Sequence, residues 1–193
     1  MRTIALALIA ALGLSVAAPA QECAAKKHHV NGDLALTYQW MRSNAQPGDC
    51  GCFNLNGGGI SASVVLQPRW SVVLDGSAQT VAHVPDSKNS LTLAAVYLGP
   101  RYSIPQPWKR TPRATQPYVQ ALLGGMHAGG AVAGAADGTM KFSTRVGGGL
   151  DQPLSKHTAL RLVQVDYNLT TFENTVNERQ NNLLVSTGFV FRW

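Results

Sequence analysis

The sequence predicts an all-β protein in which eight antiparallel strands close into an up-and-down transmembrane barrel. The first observation behind this prediction is an alternation of apolar and polar residues that recurs in eight segments separated by turn residues. The second is that only 13% of the residues are charged, whereas soluble domains carry about 25%. Beyond the N-terminus no apolar run is long enough for a membrane helix. Low charge with alternating strands is typical of a membrane barrel.

Each predicted strand places apolar side chains on one face and mostly polar or small ones on the other. In the first strand, Leu34, Leu36 and Trp40 share a face opposite Thr37 and Gln39. The fifth and seventh strands alternate only partly, and in the seventh the pattern breaks at 161–162. The eight predicted strands cover residues 34–42, 60–67, 70–79, 91–104, 118–127, 142–151, 159–170 and 182–193.

Connections and aromatic residues predict how the barrel is oriented. The second and third strands, and the sixth and seventh, are joined by short turns, whereas longer loops follow strands one, three, five and seven. The connection 105–116 is longer than this rule expects and carries three prolines, which we interpret as an extended periplasmic excursion. Aromatic residues form two rims: Trp70, Tyr102 and Trp193 on the side of the termini, and Trp40, Phe142 and Tyr167 on the other. Both termini are therefore expected in the periplasm.

The N-terminus has the organisation of a secretory signal. A positive charge at Arg2 precedes an apolar stretch, and small residues stand at the positions that a signal peptidase reads, so cleavage is expected between Ala20 and Gln21. Glu22 directly before Cys23 argues against a lipid anchor. We therefore expect residues 1–20 to be a signal peptide, 21–29 a mobile tail and 30–193 the barrel domain.

The net charge of +6 does not indicate a nucleic-acid partner. Removing the signal peptide lowers the charge to +5, because only Arg2 is lost. The basic residues form short pairs without interleaved aromatic side chains, and an exported chain rarely meets nucleic acid.

The C-terminal strand carries a further pattern. Phe189, Phe191 and Trp193 alternate up to the last residue and look like the signal read by the barrel-assembly machinery of the outer membrane. Together with the segments 97–102, 147–151, 159–167 and 180–183, they resemble the OmpA-like family of eight-stranded barrels over roughly residues 30–193. The resemblance implies a location in the bacterial outer membrane, with membrane lipid and the assembly machinery as partners. It does not imply peptidoglycan binding, because that role belongs to a domain following the barrel.

Charged residues on the inward-facing side of the strands are the main candidate site. An eight-stranded barrel is just wide enough for side chains to fill it, and arginine and aspartate side chains can pair there. We therefore predict a sealed charged lumen, with a narrow gated ion path as the alternative. The predicted network consists of Asp75, Arg101, Arg145, Asp151, Asp166 and Arg192.

Other reactive residues give weaker signals. Cys50 and Cys52 lie in the first long loop, where export favours a disulfide of some kind over a metal site, since no further ligands are evident nearby. His28 and His29 belong to the expected tail, and His127 has no nucleophile among its neighbours. The glycine triplets at 57–59 and 147–149 lack the Lys-Ser/Thr of a phosphate loop.

We therefore expect no enzyme and no cofactor. The expected role is structural or in surface interaction, with the long loops exposed outside and their ligand unknown. The alternatives are a narrow pore and a soluble, lipocalin-like carrier.

Overall fold

The computed structural model describes residues 31–44, 52–82, 90–105, 114–129, 139–172 and 179–193. These residues form eight strands that pair in sequence order into one closed barrel, with every pairing antiparallel. The fold class predicted from the alternation is confirmed. The strands are β1 (Gly32–Asn44), β2 (Cys52–Gln67), β3 (Trp70–Val81), β4 (Leu91–Ser103), β5 (Gln116–Gly129), β6 (Thr139–Pro153), β7 (Thr158–Thr170) and β8 (Gln180–Arg192).

The barrel closes where the first strand meets the last. β1 pairs with β8 from Asp33 opposite Arg192 to Ser43 opposite Asn182. Beyond that ladder, Gly32 and Trp193 exchange two backbone hydrogen bonds of 3.2 Å. We call the end of the barrel at Gly32 and Trp193 the terminal mouth, and the opposite end the loop end. Among the described residues there is no helix long and apolar enough to cross a membrane.

The two faces of the wall differ in polarity as the alternation predicts. Outward-facing aliphatic and aromatic side chains stay exposed all round the barrel, whereas the inward-facing ones are buried. The aromatic rims also stand where they were expected: Trp70 and Tyr102 pair across β3 and β4 near the terminal mouth, with ring centroids 4.9 Å apart. Phe142 and Tyr167 face outward nearer the loop end.

Several strands run further toward the loop end than their patterns predict. The alternation predicts that the second strand begins at residue 60, yet β2 begins at Cys52 and takes in the glycines 57–59, which the pattern assigns to a loop. A Cβ atom on Gly57 would lie 2.7 Å from the Cα of Gln79 on β3. Glycine within a strand often marks such a close approach of two backbones. An alternation of side-chain polarity does not predict it, because glycine has no side chain.

Connections at the two ends differ in length. At the terminal mouth, residues 68–69 join β2 to β3 and residues 154–157 join β6 to β7, so both short turns are confirmed. The proline-rich connection between β4 and β5 is longer, and its residues 106–113 lie outside the described residues. Four connections stand at the loop end, each of seven residues or more by the strand bounds.

Candidate functional site

The barrel interior has two layers of different chemistry. From the terminal mouth to the middle it is filled by charged and amide side chains, several of them fully buried. Toward the loop end an apolar cluster takes up much of the interior, together with buried polar side chains such as Ser43, Gln79 and Asn182. The polar filling expected from the sequence is therefore confirmed for the first layer and only in part for the second. The main members of the apolar layer are Met41, Phe53, Leu55, Leu91, Leu93, Met126 and Leu184.

Arg145 occupies the middle of the barrel and is fully buried. Its Nη1 donates to the Oδ1 of Asp75 at 2.6 Å, and its Nη2 donates to the hydroxyl of Ser77 at 3.1 Å. The guanidinium carbon lies 4.1 Å from the centre of the Tyr97 ring. A desolvated cation over an aromatic face gains up to about 2 kcal/mol, so the ion pair and the ring together hold this side chain across the lumen.

Tyr97 links this ion pair to the far wall of the barrel. Its hydroxyl lies 2.8 Å from that of Ser143 and donates to the Oδ1 of Asn168 at 3.2 Å. Ser143 donates to the same amide oxygen at 2.7 Å. Tyr97 stands on β4, Ser143 on β6 and Asn168 on β7, so the middle of the lumen is crossed by side chains from several strands.

A second ion pair lies nearer the terminal mouth and includes an arginine outside the predicted network. Arg161 donates two hydrogen bonds to Asp151, from Nε to Oδ1 at 2.9 Å and from Nη2 to Oδ2 at 3.2 Å. Its Nη1 donates to the Oε1 of Gln164 at 2.9 Å. Bidentate pairing of this kind is stronger and more directional than a single contact.

A β-bulge explains why the simple alternation misses Arg161. The register of β7 with β8 shifts between Arg161, which pairs with Gly188, and Gln164, which pairs with Ser186. Three residues along β7 therefore correspond to two along β8. The extra residue lets both Arg161 and Gln164 point inward, with exposed Leu162 between them. The broken alternation at 161–162 was therefore the signal of a bulge.

Asp166 is held by amides. Gln120 donates to its Oδ1 at 3.2 Å and Gln164 donates to its Oδ2. Among the described residues, Asp166 has no arginine within ion-pair distance. The hydroxyl of Tyr118 donates to the Oε1 of Gln164 at 2.6 Å and so extends this group toward Arg161.

The two remaining predicted arginines stand at the terminal mouth. Arg101 makes two hydrogen bonds to the Oε1 of Gln120, and its guanidinium carbon lies 4.5 Å from the centre of the Tyr118 ring. Its Nη1 is 3.6 Å from the Oδ1 of Asp33, a carboxylate that the predicted network lacks because it stands one residue before the first predicted strand. Arg192 is a quarter exposed, and its Nη2 lies 3.9 Å from the Oδ2 of Asp151, which is a long ion-pair contact.

These charged side chains surround an open cavity at the terminal mouth. It has a volume of about 250 Å³. Its lining includes Asp33, Arg101, Tyr118, Asp151 and Arg192. The structure therefore brings the six predicted residues into one polar layer, but it divides them into separate clusters.

The other candidate residues lie apart from this layer. Phe189 and Phe191 face outward and Trp193 is exposed beside Gly32, as the predicted assembly signal requires for a shared face. Cys52 begins β2, which corrects its predicted place in a loop, while Cys50 and the predicted cleavage site at Ala20 and Gln21 lie outside the described residues. Within the part of the chain that the structure describes, no group of three His, Cys, Asp or Glu side chains could hold a metal.

The distribution of polarity decides between two kinds of barrel. A soluble carrier keeps apolar side chains around an inner ligand cavity and polar ones outside. Here fully buried charges fill the middle of the lumen, while large apolar side chains such as Leu98, Leu123 and Phe189 are more than half exposed on the outside. That arrangement fits a surrounding hydrocarbon phase and not water.

Solved structures with the same architecture come from bacterial outer membranes. Neisserial surface protein A superposes with a TM-score of 0.66 at 16% identity, over 84% of this chain and 97% of that one. The attachment invasion locus protein Ail of Yersinia pestis gives 0.56 at 14% identity, over 85% and 99%. The N-terminal β-barrel domain of Pseudomonas aeruginosa OprF gives 0.51 at 14% identity, over 83% and 97%. At these identities the likeness establishes the fold alone.

The sequence itself gives the family. A search of curated proteins found no match. The family model described as the outer membrane protein beta-barrel domain matches residues 5–191, nearly the whole chain. The chain therefore belongs to the outer membrane protein β-barrel domain family and is a bacterial outer-membrane protein.

Proposed function

We propose that this protein is a non-conducting, non-enzymatic barrel that holds its loops at the cell surface for interaction with an external partner. The observation that carries the first part is the blocked lumen. The fully buried Arg145 reaches from β6 across the middle of the barrel to Asp75 on β3 and Tyr97 on β4. Nearer the loop end, apolar side chains such as Met41, Leu93 and Met126 occupy much of the lumen, and desolvating an ion there costs several kcal/mol.

Planar-bilayer recording tests the block. The purified wild-type protein is expected to show no large, steady conductance at physiological salt. A variant with both lumen-spanning side chains removed, Tyr97→Ala with Arg145→Ala, serves as the opened control once its folding is shown by the gel shift of unheated samples. A steady conductance from the wild-type protein would establish the narrow pore instead.

The proposed orientation places both termini in the periplasm and the loop end outside. It is supported by the connections, since the two short turns stand at the terminal mouth and bacterial barrels have short periplasmic turns. The assembly machinery is the proposed reader of Phe189, Phe191 and Trp193. In this orientation Cys50 and Cys52 are external, and Cys23 is periplasmic.

Thiol labelling of intact, reduced cells tests the orientation. A membrane-impermeant reagent should label a variant that retains only Cys50 and Cys52, and should spare one that retains only Cys23. Labelling of the Cys23 variant alone would mean that the barrel is inserted the other way round.

The loop sequences bear on the class of partner. One structure of the Yersinia pestis Ail protein is in complex with the heparin analogue sucrose octasulfate. The segments at the loop end of the present chain hold two basic residues, Lys88 and Arg179, against five acidic residues, and this net negative charge would repel a polyanion. Those acidic residues are Asp49, Asp86, Asp137, Glu173 and Glu178.

We therefore propose a partner that is not polyanionic. Adhesion of cells expressing the protein to immobilised heparin should equal that of cells without it, and heparin-specific adhesion would overturn this part of the proposal.

A further inference from the structure

An apolar groove crosses the outer wall of the barrel in the half nearer the loop end. Its volume is about 580 Å³. Its floor follows a straight row of neighbours in the strand register: Gly58 on β2 pairs with Ala78 on β3, and Ala78 with Ala94 on β4. Ala94 in turn pairs with His127 on β5, which ends the row. Neighbouring strands lie about 4.8 Å apart, so this row is roughly 14 Å long.

Side-chain size gives the groove its depth. Next to the row of small residues stand large outward-facing side chains, Ile60 and Val96, each about half exposed. Gly76 lies between these two in the register and extends the floor. Met140 borders the groove beside His127. The surface is therefore concave between aliphatic walls, and contact with a flat neighbour would leave a gap.

The wall changes from apolar to polar immediately above the groove. Two residues further toward the loop end, the outward-facing positions on β2, β3 and β4 are Asn56, Thr80 and Thr92, which are neighbours in the register. The hydroxyl of Thr92 donates to that of Thr80 at 3.2 Å, and Tyr38 donates to Asn56 at 2.8 Å. The groove thus begins where the hydrocarbon-facing surface ends, at the level of lipid head groups.

We propose that this groove binds one acyl chain of a phosphorylated glycolipid of the outer leaflet, with the head-group phosphate beside His127. This rests on the proposed orientation, which puts the loop end in that leaflet. An unfilled gap in a wall facing hydrocarbon forfeits dispersion contacts, whereas a flexible chain can follow the groove. An imidazole N–H can donate to a phosphate oxygen, and the polar row above can contact the sugar.

A second copy of the chain fits the groove less well. A symmetric dimer would bring the same surface of both copies together. Two concave surfaces facing each other would leave the space between them unfilled, and the row of small residues would gain few contacts. The shape therefore favours a slender ligand.

Native mass spectrometry of the folded full chain, released from detergent, tests the proposal. The ligands are bisphosphorylated lipid A, the same lipid without phosphate, and dioleoylphosphatidylglycerol. Ala94→Leu fills the floor, and Ala121→Leu is the matched control because it is the same change at an exposed outward position on β5 outside the groove. Gly76→Val is a second filling variant, since a Cβ there would meet nothing nearer than 3.9 Å.

The wild-type monomer should retain one lipid A, and both filling variants should bind it about tenfold more weakly. Tenfold corresponds to about two methylene groups that no longer reach the groove. Ala121→Leu should bind as the wild type does. His127→Ala should reduce the preference for the phosphorylated lipid while leaving the barrel folded, as judged by the gel shift.

Three results would overturn the proposal: equal retention by Ala94→Leu and Ala121→Leu, equal affinity for phosphatidylglycerol, or a dimer that Ala94→Leu dissociates. The binding measurement in detergent does not depend on membrane orientation. Inverted thiol labelling would therefore refute the proposed orientation separately, and failed binding would refute the lipid site alone.

Discussion

Replacing Arg145 with alanine should destabilise the barrel more than any change at its rim. The substitution leaves Asp75 buried without the cation that now stands 2.6 Å away, and it removes the guanidinium from the Tyr97 ring. Breaking a buried ion pair by removing one partner costs about 3–5 kcal/mol, because the remaining charge stays desolvated. Against a typical domain stability of about 5–15 kcal/mol, this is a large share.

Two variants separate the buried charge from other effects. Arg192→Ala breaks an ion pair of 3.9 Å at a quarter-exposed side chain, for which about 1 kcal/mol or less is expected. The double variant Arg145→Met with Asp75→Leu removes both charges, so it should recover most of the loss.

The assay is urea unfolding in detergent micelles, followed by tryptophan fluorescence and by the gel shift of unheated samples. If Arg145→Ala lowers the free energy of unfolding no more than Arg192→Ala does, water must solvate the remaining Asp75 carboxylate, and the argument from a buried charge is wrong.

Further variants and one mass measurement test other parts of the structure. Arg161→Lys keeps the charge but cannot form the bidentate pair, so we expect a loss of about 1–3 kcal/mol in the same urea assay. An unchanged midpoint would contradict the bidentate pairing with Asp151. Gly149→Ala should lower the free energy of unfolding by about 1–3 kcal/mol, because its Cβ would lie 2.6 Å from the Tyr118 hydroxyl. Gly76→Ala, at an open position, should not lower it. Equal effects of the two substitutions would be evidence against a tightly packed interior. Deleting Trp193 should lower the amount of heat-modifiable barrel in isolated outer membranes, and assembly at wild-type yield would disprove the assembly signal. The intact mass of the purified protein should show that it begins at Gln21, and a chain retaining Met1 or lipidated at Cys23 would contradict this.

The barrel and its outer surface could be predicted from the sequence because successive side chains of a strand point alternately to the two faces of the wall, so that their polarity repeats every two residues. In β3, Trp70, Val72 and Leu74 face out while Ser71 and Asp75 face in, as their polarity indicates. The same period carries no information about distances across the lumen. It therefore placed the six predicted charges on the inner face without showing which of them meet.

The parts that were missed have specific physical causes. A bulge adds one residue and reverses the face of everything beyond it, so the alternation assigns Arg161 to no face, although its guanidinium makes two hydrogen bonds to Asp151 near the mouth. The alternation places Met41 and Leu122 on the inner face, where Leu93 also points, but it does not predict that they meet in an apolar layer. Only closure of the barrel brings such residues from different strands together.

The interior contacts connect strands that are not neighbours in the wall. Arg145 on β6 reaches Asp75 on β3, Tyr97 on β4 reaches Asn168 on β7, and Arg101 on β4 approaches Asp33 on β1. A hydrogen-bonded wall resists stretching along its ladder, but a ring of eight strands can still flatten unless something holds opposite sides at a fixed distance. These side chains provide that connection at several points, and each is directional. Under the proposed surface role, the loop sequences could then change to suit a partner while these interior contacts stay in place.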